Sequence, residues 1–148
     1  MYQKFTDRAK HILRLADMEA HRFNYEYVQP EHLLLGLVKE GNGVGANLLQ
    51  SNGYELRRVR MEVEKLIKPS QDLVTMGRLP HSPSTRQCLE HAVEVARDMN
   101  SALVGSEHLL LGVIREPSDV TSQVFQTLGV KYHHLLEQTK YLASKSSG

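Results

Sequence analysis

Apolar residues between positions 9 and 23 recur every three or four residues, a spacing that predicts a helix with one buried face. Thr6 is the expected N-cap of this helix, and Asp7 follows in the first turn, where a negative charge suits the helix dipole. Asn24 is the expected end of the helix. The apolar set is Ala9, Ile12, Leu13, Ala16, Ala20 and Phe23.

The same type of pattern continues along the chain and predicts seven further helices, separated by glycines, prolines and polar residues. Leu33 to Leu35, and the leucines that repeat them later in the chain, are expected to lie in the core. The predicted helices are Pro30–Lys39, Val44–Ser51, Leu56–Ile67, Pro83–Met99, Ser106–Arg115, Val120–Leu128 and Tyr132–Ala143.

The second half of the chain repeats the first at an offset of 76 positions, most clearly where "EHLLLGLVKE" from Glu31 returns as "EHLLLGVIRE" from Glu107. This match predicts an all-α fold of two tandem four-helix repeats. A unit of about 65 residues has a marginal core alone, so the repeats should pack with pseudo-twofold symmetry into one globular domain. The boundaries are repeat 1 (5–67), a linker (68–81), repeat 2 (82–143) and a tail (144–148). Leu73, Val74 and Met76 of the linker are expected to rest on the helices.

Charge and composition indicate a partner that is recognised locally. Lys and Arg total 18 against 17 Asp and Glu, so no basic surface suggests nucleic acid or anionic lipid. No apolar run approaches a bilayer span, and the first ten residues lack the apolar segment of a secretory signal. With Cys88 as its single cysteine, the chain is expected in a reducing compartment, the cytoplasm.

Motifs for cofactor or metal chemistry are weak. The stretch "GNGVG" at 41–45 lacks the preceding strand and the Gly-Lys-Ser/Thr of a phosphate-binding loop, so it is interpreted as a connection between helices. None of the 8 histidines has the spacing of a zinc site. Cys88 shares a helix with Leu89 and Ala92, as a small core residue would. The sequence therefore predicts no catalytic residue, no metal and no cofactor in this domain.

The repeated motif has a structural interpretation at each position. Glu31 and Glu107 fall in the first turn of their helices, where a carboxylate stabilises the helix end. The histidines that follow them are expected to be packed and hydrogen-bonded. Gly36 and Gly112 each cost about 1 kcal/mol relative to alanine in mid-helix, which predicts that another helix backbone crosses closely there.

Taken together, these motifs resemble the Clp N-terminal (Clp repeat) domain of the Hsp100/Clp AAA+ unfoldases. The resemblance rests on a hydroxyl residue opening each first helix and on "V-x-x-E-H-L-L-L-G" opening each second helix, and it covers about residues 2–143. The wording "SEHLLLGVIRE" is most similar to the ClpC branch, which works with the ClpP protease. The resemblance implies a non-catalytic docking domain for substrates and for MecA- or McsB-like adaptors. It also implies a hexameric parent whose ATP- and Mg-binding ATPase region follows the tail, with the isolated domain monomeric.

The ClpC-like pattern further implies two pockets for phosphoarginine-tagged proteins. By motif matching, these pockets use Thr6 with Glu31 and Ser82 with Glu107. A helix N-terminus with a hydroxyl suits a phosphate, and a carboxylate suits a guanidinium. The second copy has Ser84 where the first has Arg8, so the two sites are not expected to be equal.

Three alternatives remain at this point. The chain could be a stand-alone Clp-repeat protein that docks on a Clp complex, which continuation of the reading frame into an ATPase would exclude. It could belong to a ClpA- or ClpB-type chaperone, since Pro30 resembles the ClpB pattern. A small hydrolase using the histidines is the enzymatic alternative, and no constellation of residues supports it.

Overall fold

Helices account for nearly all of the regular structure in the computed structural model, which describes residues 4–69 and 76–146. Within these residues the chain forms eight α-helices, and the only strand-like pairing is two isolated parallel bridges. The all-α fold class is confirmed. The helices are α1 (Asp7–Arg22), α2 (Pro30–Glu40), α3 (Val44–Ser51), α4 (Leu56–Leu66), α5 (Pro83–Asp98), α6 (Ser106–Arg115), α7 (Asp119–Leu128) and α8 (Tyr132–Ser146).

The helix ends follow the local signals in the sequence. Thr6 caps α1 as predicted, since its Oγ1 accepts a hydrogen bond from Ala9 N at 3.0 Å. Asn24 has a φ of 60° just beyond α1, the left-handed conformation that Asn tolerates at a helix end. The "GNGVG" stretch is a helix connection, with Gly41 left-handed at the end of α2 and Gly43 as the N-cap of α3.

Each repeat is built on an antiparallel helix pair that crosses at a glycine. A Cβ on Gly36 would lie 2.7 Å from Ile12 O and 2.9 Å from Ala16 N, so α2 lies directly on the backbone of α1. Gly112 on α6 lies against Cys88 O of α5 in the same way. The close crossing predicted from the mid-helix glycines is therefore confirmed in both repeats.

The two repeats share one hydrophobic core. The inner helices α2 and α6 contact each other, and α3 packs on α6 as α7 packs on α2. Leu33 to Leu35 and Leu109 to Leu111 are all fully buried in this cluster. Each helix pair has a counterpart 76 positions away, which gives the pseudo-twofold arrangement expected from the repeat.

Of the three linker residues expected to rest on the helices, one can be compared with the structure and does not do so. Met76 does not rest on the helices, because its side chain is 90% exposed. Leu73 and Val74 lie outside the described residues. Leu79 of the linker is buried in the core, and its N–H donates to Asp17 Oδ1 at 2.8 Å.

Candidate functional site

Thr6 and Ser82 each end a short segment that pairs with the other repeat just before a helix begins. Thr6 N donates to Val104 O at 3.0 Å, and Ser82 N donates to Val28 O at 3.0 Å. Val104 and Val28 stand three residues before Glu107 and before Glu31, respectively. The hydroxyl residue of each repeat therefore lies beside the glutamate-bearing segment of the other repeat.

This crossing corrects the pairing of site residues inferred from the motifs. Arg8 at the start of α1 contacts Glu40 at the end of α2, so the two helices are antiparallel. Glu31 lies nine residues earlier on α2, about 14 Å along the helix axis from that contact. The structure thus separates Thr6 from Glu31 and brings Thr6 toward Glu107 and Ser82 toward Glu31. The binding role of all four residues stays a prediction.

We call the first meeting point the Thr6 junction, formed by Thr6, Arg8, Gly43, Ser106 and Glu107. The N-terminal ends of α1, α3 and α6 come together there. Ser106 Oγ of α6 accepts from Gly45 N of α3 at 3.0 Å, and a Cβ on Gly43 would lie 2.7 Å from Arg8 Cδ of α1. Each helix start carries partial positive charge and amides outside the helical ladder. Glu107 is half-buried, with its carboxylate folded back over Gly105. A carboxylate and several donors therefore face the same region.

The hydroxyl of Thr6 can still donate a hydrogen bond. Its oxygen accepts from Ala9 N, and among the described residues no acceptor is found for its proton. Arg8, two positions further on, is 48% exposed, and its Nε donates to Glu40 Oε2 at 3.0 Å. The Thr6 junction thus offers a hydroxyl donor, a guanidinium and a carboxylate near the surface.

The corresponding Ser82 junction, formed by Pro30, Glu31, Ser82 and Ser118, is closed by its own hydrogen bonds. Ser82 is buried, and its hydroxyl donates to Thr85 Oγ1 at 3.0 Å while it accepts from Thr85 N at 3.1 Å. Ser118 Oγ donates to Glu31 Oε1 at 2.8 Å, which links the two repeats. Both groups that the motif offers to a ligand are therefore occupied.

The environment of Glu31 also disfavours its charge. The residue is only 6% exposed, and burial raises the pKa of the Glu31 carboxyl. The hydrogen bonds from Ser118 and from its own backbone oppose this effect, while Asp119 adds to it. A carboxylate already held in this way is a poor partner for an incoming guanidinium.

Two substitutions between the repeats contribute to the difference between the junctions. Gly105 leaves the space into which the Glu107 side chain folds, whereas the equivalent position holds Gln29. Ser106 accepts the amide of Gly45, whereas the equivalent Pro30 has no hydroxyl. The sequence repeat locates these differences, but it does not predict the hydrogen bonds that Ser106 accepts from Gly45 and that Glu31 accepts from Ser118, because both cross between the repeats.

The histidines after the two glutamates are packed and hydrogen-bonded, as predicted. Nδ1 of His32 accepts from Gln29 N at 2.9 Å, and Nδ1 of His108 accepts from Gly105 N at 2.9 Å. Each histidine therefore satisfies an amide at the start of its helix. Burial lowers the pKa of His32 to about 4 and also lowers the pKa of His108.

Other candidate chemistry finds no site in the part of the chain that the structure describes. Cys88 is buried, its Sγ donates to Glu116 O at 3.2 Å, and burial raises its pKa to about 12. No group of three His, Cys, Asp or Glu side chains there is placed to hold a metal ion. None of the described helices combines the length and apolar character that a membrane span requires.

Comparison with known proteins adds family information to this geometry. Residues 4–143 match the family model of the Clp repeat (R) N-terminal domain. The chain is 36% identical over 147 residues to "Chaperone protein ClpC1, chloroplastic" of Oryza sativa subsp. japonica, covering 99% of this chain and 16% of that protein. It is 40% identical over 129 residues to the ClpC1 protein of Arabidopsis thaliana, covering 87% of this chain and 14% of that protein.

Solved structures share the fold. The N-terminal domain of the chaperone ClpD from Arabidopsis thaliana aligns with a TM-score of 0.74 and 24% identity, covering 100% of this chain and 97% of that chain. The N-domain of ClpV from Vibrio cholerae aligns with a TM-score of 0.79 and 19% identity, covering 97% and 87%. A ClpV N-domain solved in complex with a VipB peptide aligns with a TM-score of 0.76 and 20% identity, covering 97% and 89%.

Proposed function

The chain belongs to the family of Clp repeat N-terminal domains, and we propose that it is the substrate- and adaptor-docking domain of a ClpC-like ATP-dependent unfoldase. In this proposal the domain binds and does not catalyse. The chain spans 16% of the ClpC1 relative from Oryza sativa, so ATP hydrolysis and delivery to ClpP would belong to other parts of a hexameric parent. MecA- or McsB-like adaptors are the partners that the ClpC resemblance implies.

The branch and the compartment are part of the proposal. One relative of 36% identity is named as a ClpA homolog, from Solanum lycopersicum, so the similarity does not separate ClpC from ClpA types. The cytoplasmic location expected from the sequence stays a prediction, because the relatives named above are chloroplastic.

Phosphoarginine on a tagged protein is the ligand we propose for the Thr6 junction. The observation that carries this proposal is the placement of Thr6 and Arg8 beside the segment that bears the half-buried Glu107. The Thr6 hydroxyl, the first amides of α1 and the Arg8 guanidinium suit a phosphoryl group. The Glu107 carboxylate suits the guanidinium of the ligand through a charged two-point contact. The Ser82 junction, whose hydroxyl and carboxylate are already bonded, is proposed to be structural.

Titration of free phosphoarginine against single variants tests this assignment. A lost hydrogen bond to a charged group costs about 1.5–3 kcal/mol, so Glu107→Ala should weaken binding by about 10- to 150-fold. Glu31→Ala should leave the affinity within about twofold and lower the melting temperature, because it removes the acceptor of Ser118. Calorimetry gives the affinities, and circular dichroism gives the melting temperatures.

The two glutamates serve as controls for each other, since they occupy equivalent positions in the repeats. Loss of binding in Glu31→Ala with no effect of Glu107→Ala would reverse the assignment of the junctions. Equal affinity in the wild type and in the Glu31→Ala, Glu107→Ala double variant would remove both glutamates from the site. Absence of any binding to the wild type would refute phosphoarginine as the ligand.

A further inference from the structure

The stem of the half-exposed Arg8 side chain packs closely against Gly43 in the Thr6 junction. A Cβ on Gly43 would lie 2.7 Å from Arg8 Cδ, so the glycine leaves the room that the arginine stem occupies. The Nε of Arg8 donates to Glu40 Oε2 at 3.0 Å. The one arginine of the first turn of α1 is therefore engaged with the last residue of α2.

Glu40 is itself fixed in position. Its side chain is 11% exposed, and its Oε1 accepts from Asn42 N at 3.1 Å. Asn42 Nδ2 in turn donates to Glu40 O at 3.1 Å. The carboxylate also stands at the C-terminal end of α2, where the helix dipole disfavours negative charge. These contacts place a pre-formed counter-ion for Arg8 at the rim of the junction.

We infer that Glu40 limits the affinity of the Thr6 junction for phosphoryl groups by holding the Arg8 guanidinium in an ion pair that the ligand must displace. The inference rests on the function proposed above. Glu40 is a positioning residue that acts through Arg8 and need not touch the ligand. A phosphoryl group gains most from a guanidinium that can turn its paired N–H groups toward it. While Nε donates to Glu40, this N–H group of Arg8 is not available to the phosphoryl group.

The size of the effect follows from the exposure of the pair. Ion pairs near the surface contribute little to stability, and breaking one corresponds to a factor of about 1.4 to 5 in affinity. The effect should decrease as salt screens the pair. At the equivalent positions of the second repeat stand Ser84 and Glu116, a carboxylate without an arginine opposite it. Glu116 is therefore the matched control.

Calorimetric titration with phosphoarginine at low salt tests the inference in five proteins. Glu40→Gln should bind about 1.4- to fivefold more tightly than the wild type, because the amide keeps an oxygen for Asn42 N but releases the charge of Arg8. Arg8→Ala should bind more weakly. The Arg8→Ala, Glu40→Gln double variant should match Arg8→Ala, and Glu116→Gln should match the wild type.

Each other result overturns the inference. Unchanged or weaker binding by Glu40→Gln would mean that Glu40 does not restrain Arg8, or that it orients Arg8 productively. A gain in affinity that persists without Arg8 would show that Glu40 acts by general repulsion of the anion. If the wild type binds but Glu40→Gln shows no gain, only this inference fails, whereas no binding by any protein refutes phosphoarginine as the ligand as well. Glu40→Ala replaces Glu40→Gln if its melting curve shows a loss of fold.

Discussion

The start of α2 is stabilised by a buried histidine, His32, in its neutral form. Its Nδ1 accepts the Gln29 amide proton, so the neutral ring carries its proton on Nε2. That nitrogen is buried and has no hydrogen-bond partner among the described residues, although the Tyr25 ring lies edge-on at 4.7 Å between centroids. A second proton would break the bond to Gln29 and place a charge in the core. The histidine is therefore stable there only as the neutral form.

Stability should consequently fall in mild acid because of His32. Its pKa is about 4 in the folded protein and about 6.5 when unfolded, so the unfolded chain binds the extra proton first. The stabilisation is complete above about pH 6.5 and is lost as the pH falls through about 4. Urea unfolding at pH 7 and pH 4.5 should show that the wild type loses about 2 kcal/mol more than His32→Asn, which keeps an acceptor for Gln29.

Comparing the wild type with His32→Asn and with His133→Asn separates the effect of His32 from the effects of other titrating groups. Burial lowers the pKa of His81, His91 and His108 as well, and these residues act equally in both proteins. Glu31 works in the opposite direction, because its raised pKa means that acid stabilises the fold through this residue. The exposed His133→Asn variant should follow the wild type. The same pH dependence in His32→Asn and the wild type would refute the assignment.

At the scale of elements, the fold depends on how closely α1 and α2 approach. The Cβ positions on Gly36 show that backbone atoms, and not flexible side chains, fill the space beside the glycine. The helix gives up about 1 kcal/mol of propensity to allow this contact. The same arrangement at Gly112 makes the crossing a property of the repeat rather than of one helix pair.

Gly36→Ala should therefore destabilise the protein despite its better helix propensity. Overpacking costs typically 1–3 kcal/mol, and the upper end applies here because the two backbones must separate. The gain of about 1 kcal/mol in helix propensity offsets part of this cost, so we expect a net loss of about 1–2 kcal/mol in the free energy of unfolding. Asn47→Ala, at an exposed position of α3, changes propensity without a steric conflict and should stay within about 0.5 kcal/mol. Denaturant titration measures both variants, and a stability of Gly36→Ala equal to or above that of the wild type would contradict the prediction.

The sequence predicts most of this element structure because the signals are local. Period, caps and breakers lie within a few residues of each helix end, and Thr6, Asn24 and Pro30 act as expected. The site was only partly predictable, because the association of Thr6 with Glu107 depends on a crossing between repeats. A tandem repeat gives the same internal pattern whether its units pack side by side or exchange their first residues. The bridges of Phe5 with Val104 and of Val28 with His81 distinguish these cases, and they are seen only in the structure.

At the scale of the whole molecule, each repeat supplies hydrogen-bond partners for backbone groups of the other. Val28 of the first repeat bonds to Pro80 O and Ser82 N, and Val104 of the second bonds to Lys4 O and Thr6 N. Ser118 and Ser106 add side-chain bonds in opposite directions across the boundary. If either half were removed, the other would expose α2 or α6 and leave these backbone groups without their partners. Domain stability and the geometry of the Thr6 junction therefore depend on the same contacts.

We accordingly expect that neither half folds alone. Residues 1–69 and residues 76–148, each expressed separately, should show little cooperative thermal unfolding by circular dichroism, because a unit of this size buries too little apolar surface without its partner. Mixing the two halves should restore helicity and give a one-to-one complex by analytical ultracentrifugation. Phosphoarginine binding should return only in that complex, because the Thr6 junction takes residues from both halves. A cooperatively folded, monomeric fragment of residues 1–69 would show that the repeats are independent units and that their crossing is not needed for folding.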